Sequence, residues 1–205
     1  MFAKKNFSVS ILIAVCLAHI AYLAFFSSSA SLISSCLPGS NSLVYVASPS
    51  SRTRKILKHL KAAKTNALFL VDCNKFNSFP DFNKIIREAS SDHVIGLYFE
   101  KKNLLNKDIS SAIKTVEEII SNKPRYAAFK FQTAQHFQFA KENKLTVIDL
   151  SNMKDTKHSP GKLKFSDSLV IFSDTPSTKV ATDHFLSLKK EFSSIFQCTG
   201  ISNYQ

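Results

Sequence analysis

The sequence predicts an α/β fold. Short apolar runs alternate with amphipathic segments of helical spacing, which is the pattern of strands joined by helices. Those runs are apolar throughout, as strands buried on both faces require. Hydrophobic residues make up 44% of the 205, enough for one ordinary core.

Residues 37–42 hold Pro38, Gly39 and Asn41 and read as a linker. Residues 43–47 form the first buried strand. Ser48, Pro49, Ser50 and Ser51 break it and supply a cap for a helix. Ile56, Leu57, Leu60 and Ala63 share one face of that helix, over 52–64. A second strand is expected over 67–71. Pro80 opens a helix that runs to 89, with Phe82, Ile85 and Ile86 inward, and a third strand comes next over 94–99. Ile109, Ala112, Ile113 and Val116 mark a helix over 109–120. Phe129, Lys130 and Phe131 suggest a short strand, and residues 137–140 and 145–150 two more, joined near Asn143. Residues 169–172 read as a further strand and 180–196 as a closing helix. One domain over 43–198 is expected, with a tail over 199–205.

The amino-terminal 36 residues read differently. Lys4 and Lys5 precede an uncharged run over 7–26, long enough to cross a bilayer core of about 30 Å. Three fates stay open: an uncleaved anchor, a cleaved signal peptide, or lipoprotein processing. The last rests on Ile33, Ser34, Ser35 and Cys36, which resemble a lipobox, with Cys36 as the lipidation site. Each fate makes the protein membrane-associated or exported, with the domain on the extracytoplasmic side.

Net charge is +12, from 27 Lys and Arg against 15 Asp and Glu. That surplus favours polyanionic partners, namely nucleic acid or anionic phospholipid. The most basic stretch is the 52–64 helix, where Arg52, Arg54, Lys55 and Lys58 are candidate phosphate-binding residues. With only 4 glycines the chain has no Gly-rich phosphate loop, which argues against dinucleotide and P-loop nucleotide binding. The four cysteines, Cys16, Cys36, Cys73 and Cys198, show no metal-ligand spacing, so no metal and no other cofactor is expected. A Cys73–Cys198 disulfide is open outside the cytoplasm. Asp149, Asp155, His158 and Ser159 hold triad residue types without a nucleophile elbow, so a hydrolase triad is not expected.

One resemblance spans about 150 residues. Tyr45 to Pro49, the basic helix ending in Ala63 and Lys64, and the strand and long helix near the carboxyl terminus resemble the phospholipase D superfamily, particularly its small secreted single-domain endonucleases. The family's motif is HxKxxxxD followed by a glycine-serine and an asparagine. His136 matches its histidine. Gln138 stands at the lysine position, Asn143 at the aspartate position and Ser151 at the serine, with Asn152 one place early. The resemblance implies a mixed sheet flanked by helices, preceded by an amino-terminal apolar helix. It also implies a homodimer that brings two His136 copies together, one attacking phosphorus and one protonating the leaving group. Gln138 carries no charge for the transition state, and Asn143 cannot stabilise an imidazolium. The expected function is therefore a membrane-delivered, phosphodiester-binding domain with a decayed active site. An active divergent phosphodiesterase and a cell-envelope interaction protein without phosphate chemistry are the alternatives.

Overall fold

In the computed structural model the long apolar runs pair into one sheet whose strands all run parallel. The structure describes residues 31–36, 41–76, 81–151, 153–154, 169–173, 175, 177–188 and 198. The strands are β1 (Leu32–Ile33), β2 (Ser42–Ala47), β3 (Ala67–Asp72), β4 (Val94–Phe99), β5 (Tyr126–Phe129), β6 (Thr146–Ile148), β7 (Met153–Lys154) and β8 (Leu169–Ser173). The helices are α1 (Ser51–Ala62), α2 (Phe82–Ser90), α3 (Asn106–Ile120), α4 (Ala134–Glu142) and α5 (Thr178–Leu188). Strand order is β1-β6-β5-β4-β3-β2-β8-β7.

Strand alternation splits the core into two layers. Tyr45, Phe69, Leu97, Phe129 and Phe172 point to the helix side, where Leu60 of α1, Ile86 of α2, Ile113 and Val116 of α3 and Ala140 of α4 cover them. Val44, Leu68, Leu70, Ala128, Ile148 and Ile171 pack on the other face. That second cluster runs from Ile33 of the edge strand β1 to Leu169 of β8 and fills the concave side of a curled sheet. Room inside is tight. A Cβ on Gly96 of β4 would lie 2.9 Å from both Leu70 Cδ2 and the Tyr126 carbonyl oxygen.

Caps and turns explain where the helices start and stop. Ser50 caps α1, its hydroxyl accepting from the Arg52 amide at 3.3 Å, while the Ser50 amide donates to Thr53 Oγ1 at 3.1 Å. Lys64, Ser121 and Lys144 take left-handed φ of 51°, 58° and 58° just beyond α1, α3 and α4, turning each helix into the next strand. The Ala63 and Lys64 pair is thus a helix terminator.

Three sequence expectations change. The sheet is parallel rather than mixed, because residues 137–140 lie in α4 and not in a strand, which removes the expected hairpin with β6. Thr133 caps α4 by accepting from the His136 amide at 3.3 Å, and buried His136 and Ala140 lie four apart on its inner face. The expected strand around Phe129 to Phe131 starts earlier, at Tyr126, and ends at Phe129. The disulfide joins Cys36 to Cys198, with Cys73 left as a thiol whose pKa burial pushes up.

Leu32 and Ile33, which sequence reading placed in the targeting segment, form β1 and are both buried. The Val147 amide donates to the Ser31 carbonyl at 2.8 Å, and the Asp149 amide to the Ile33 carbonyl at 2.9 Å. Among the described residues no helix is long and apolar enough to cross a membrane. The apolar run over 7–26 lies outside the described residues.

Candidate functional site

In a parallel sheet the loops that leave the carboxyl ends of the strands gather at one end, and ligands bind there. This sheet concentrates its polar groups in that place. Asp72 closes β3, Tyr98 sits next to last in β4, Glu100 follows β4, Lys130 follows β5 and Asp149 follows β6. Asp72 and Tyr98 are register partners across β3 and β4.

Contacts link neighbouring loops into an arc. Lys75 Nζ donates to Ser48 Oγ at 3.1 Å and lies 3.8 Å from Asp72 Oδ2. Asp72 is 4% exposed and accepts from the Asn74 amide at 3.0 Å. Tyr98 is 8% exposed. Burial pushes its hydroxyl up to about 12, and the carboxylates of Glu100 and Asp72 act in the same direction. The hydroxyl therefore stays protonated and available as a donor. Lys130 Nζ pairs with Glu100 at 2.5 Å and stands 5.9 Å from the centre of the Phe131 ring. Phe131 is 41% exposed, an uncovered aromatic face beside this ion pair. Farther along, Gln132 Nε2 donates to Asp149 Oδ1 at 3.4 Å, and the Ser151 hydroxyl donates to Asp149 Oδ2 at 3.0 Å.

The residues picked out from the sequence are not assembled into one site. His136 is 1% exposed and stacks on Phe129, ring centres 5.1 Å apart. Its Nδ1 lies 2.5 Å from the Phe131 carbonyl, which only accepts, so Nδ1 carries the proton. His136 thereby fastens the loop that presents Lys130 and Phe131. Gln138, two residues on, faces solvent and donates to Glu142 Oε1 at 3.0 Å. Two residues on a strand share a face, but on a helix they point roughly 200° apart. Asn143 caps the end of α4, donating to Asn106 Oδ1 at 2.7 Å and to the Phe139 carbonyl at 2.9 Å. Ser151 alone reaches the rim. Asn152, Asp155, His158 and Ser159 lie outside the described residues.

On α1, Arg52, Lys55 and Lys58 are all exposed, whereas Arg54 ties α1 to α2 by donating to Asp81 at 3.0 Å and Glu88 at 3.1 Å. Cys36 is in the disulfide, and a sulfur so bonded cannot also carry a thioether-linked lipid.

A metal-held hydrolytic site needs about three converging side-chain donors. Among the described residues no group of three His, Cys, Asp or Glu could hold a metal ion. The rim offers carboxylates one at a time, each engaged by a lysine, an amide or a hydroxyl. Sequence reading passed over Asp72, Tyr98 and Glu100, and weighed Asp149 only as a triad residue type. Their common signal is a polar residue at the end of each apolar run in an alternating α/β chain.

No protein family matches the sequence, and no curated protein is detectably similar to it. Solved structures are more informative. The chain superposes with TM-score 0.68 on a peptidoglycan N-acetylglucosamine deacetylase, Bc1960, at 15% identity, covering 86% of this chain and 96% of that one. A chitin deacetylase from the fungus Colletotrichum lindemuthianum gives 0.64 at 19% identity, covering 84% and 93%. A CE4 family pseudoenzyme from Bacillus anthracis gives 0.63 at 17% identity, covering 77% and 63%. A mutant described as a CE4 family pseudoenzyme with restored enzymatic activity matches equally well, at 0.63. These findings overturn the resemblance to phospholipase D, and with it the phosphodiesterase reading. The chain has the fold of the CE4 polysaccharide deacetylases.

Proposed function

We propose that this domain binds an N-acetylated cell-envelope polysaccharide at the carboxyl end of its sheet and does not deacetylate it. The observation that carries the reading is the rim itself: an exposed aromatic face at Phe131 beside alternating donors and acceptors, on a deacetylase fold whose described residues lack a metal-holding cluster. Sugar rings stack their C–H faces on aromatic rings and present hydroxyl and amide groups at their edges. Phe131 would take a ring face. Protonated Tyr98 and the Glu100–Lys130 pair would take its edge. Amide hydrolysis needs an activated water and a group that stabilises the oxyanion. Asp72, the register partner of Tyr98, is occupied by the Asn74 amide and Lys75, so it is not poised as a free base. Exposed Lys55 on α1 would add a contact to anionic segments of the same polymer. A protein of this kind works outside the cytoplasm, as the apolar run over 7–26 suggests.

The test is sedimentation with insoluble peptidoglycan or chitin. The wild-type chain should co-sediment, and Phe131→Ala and Tyr98→Phe should each weaken retention several-fold at unchanged circular dichroism. A chain that stays in the supernatant with both polymers would refute the reading.

A further inference from the structure

At the opposite end of the sheet, where β4 and β5 begin, lies a cavity of about 410 Å³. No residue of the carboxyl-end rim lines it. Its walls are His93, Asn122, Lys123, Arg125 and Tyr126 over an apolar floor that includes Ile120, and no acidic residue takes part. Lys123 and Arg125 flank Pro124, which is buried and fixes its own φ. In extended chain, residues two apart point the same way, which is how both side chains come to line one cavity.

Charge decides what the cavity suits. The carboxyl-terminal ends of α2 and α3 reach it through Ser90 and Ile120. Each helix end carries roughly half a negative charge. Lys123 and Arg125 carry about two positive charges, which exceed those two helix ends, and the Asp92 carboxylate, which acts on His93, does not line the cavity. Neither side chain has an ion-pair partner among the described residues. His93 adds an unmet need. Its ring lies 5.3 Å from Phe69, and its buried Nδ1 has no hydrogen-bond partner among the described residues. Such a group is costly to leave unpaired in the interior.

We propose that this cavity is a second binding site, for a small oxyanion of the phosphate or carboxylate class. The planar fork of Arg125 matches two oxygens of either group, Lys123 supplies a second positive charge, and the Asn122 amide supplies further donors. The volume fits a single charged head group with a sugar-sized body rather than a polymer strand. The site is independent of the polysaccharide reading, since it shares no residue with the carboxyl-end rim.

Titration of the full-length chain with inorganic phosphate, and separately with acetate, tests this at low and constant ionic strength. Calorimetry should show saturable binding of at least one anion, and the imidazole NMR signals of His93 should shift with the same midpoint. The double variant Lys123→Gln, Arg125→Gln should weaken that binding at least tenfold, whereas Lys84→Gln on the exposed side of α2 should not. A response to phosphate alone or to acetate alone supports the site and identifies the anion. A His93 signal unmoved by both anions, or binding that survives the double variant in a folded protein, would overturn the proposal.

Discussion

Single residues here do work that their type does not announce. Gly96 is one of 4 glycines, and its lack of a side chain lets β3 and β5 close on β4. Gly96→Ala would force Leu70 and the Tyr126 backbone to move, and the backbone contact cannot swing aside. We expect a loss of about 1–3 kcal/mol, read as a lower denaturant midpoint at unchanged slope. His136 is the reverse case. The sequence picks it out as a relic nucleophile, and the structure places it in the core, holding the Phe131 carbonyl. A histidine in a strand and one on the inner face of a helix look alike until the register around them is known. The rim residues were legible only by position, since Asp72, Glu100 and Asp149 are unremarkable acidic residues until a parallel sheet brings them to one end.

At the scale of elements, β2, β3, β4 and β8 were legible because each is a continuous apolar run bounded by breakers. The helices α1, α2 and α3 were legible because their apolar spacing is helical. α4 was missed: Phe137 and Phe139 gave an apparent period of two, while the Thr133 cap and the His136 and Ala140 pair carried the true signal. Its exit is informative. Leu145 donates its amide to the Ala140 carbonyl at 2.8 Å while Lys144 sits at φ 58°. A left-handed residue with a Cβ costs about 1–2 kcal/mol, of which the freedom of glycine in the unfolded chain returns up to about 1. Lys144→Gly should therefore raise stability by about 0.5–1 kcal/mol, a rise of about 1–4 °C in Tm by calorimetry. A lower Tm would show that Lys144 makes contacts that outweigh the backbone strain.

At the scale of the molecule, the curl of the sheet sets both the core and the site. Tyr45 of β2 bonds Thr182 of α5 at 2.9 Å inside the helix layer, and Cys36, just past β1, bonds Cys198 inside the concave layer. The disulfide closes 162 residues of chain. Its removal by Cys198→Ser should cost about 2–4 kcal/mol. Reductant should lower the wild-type midpoint to meet that of the variant. Because Ser31 to Ile33 are paired with β6, a cleavage that removed them would strip an edge strand. Intact-mass measurement of the mature protein should find Leu32 and Cys36 present, and a mature chain beginning at or after Cys36 would contradict this. On the proposed function, the carboxyl-end rim holds an N-acetylated glycan without hydrolysing it. Its most direct test is one titration with N-acetylglucosamine oligomers, followed by amide NMR and by acetate release from the same samples. Saturable shifts should cluster at Tyr98, Lys130 and Phe131, with no acetate above the level of buffer. Acetate released in step with binding, and lost in Asp72→Asn, would contradict it, as would a titration that leaves the rim signals unmoved.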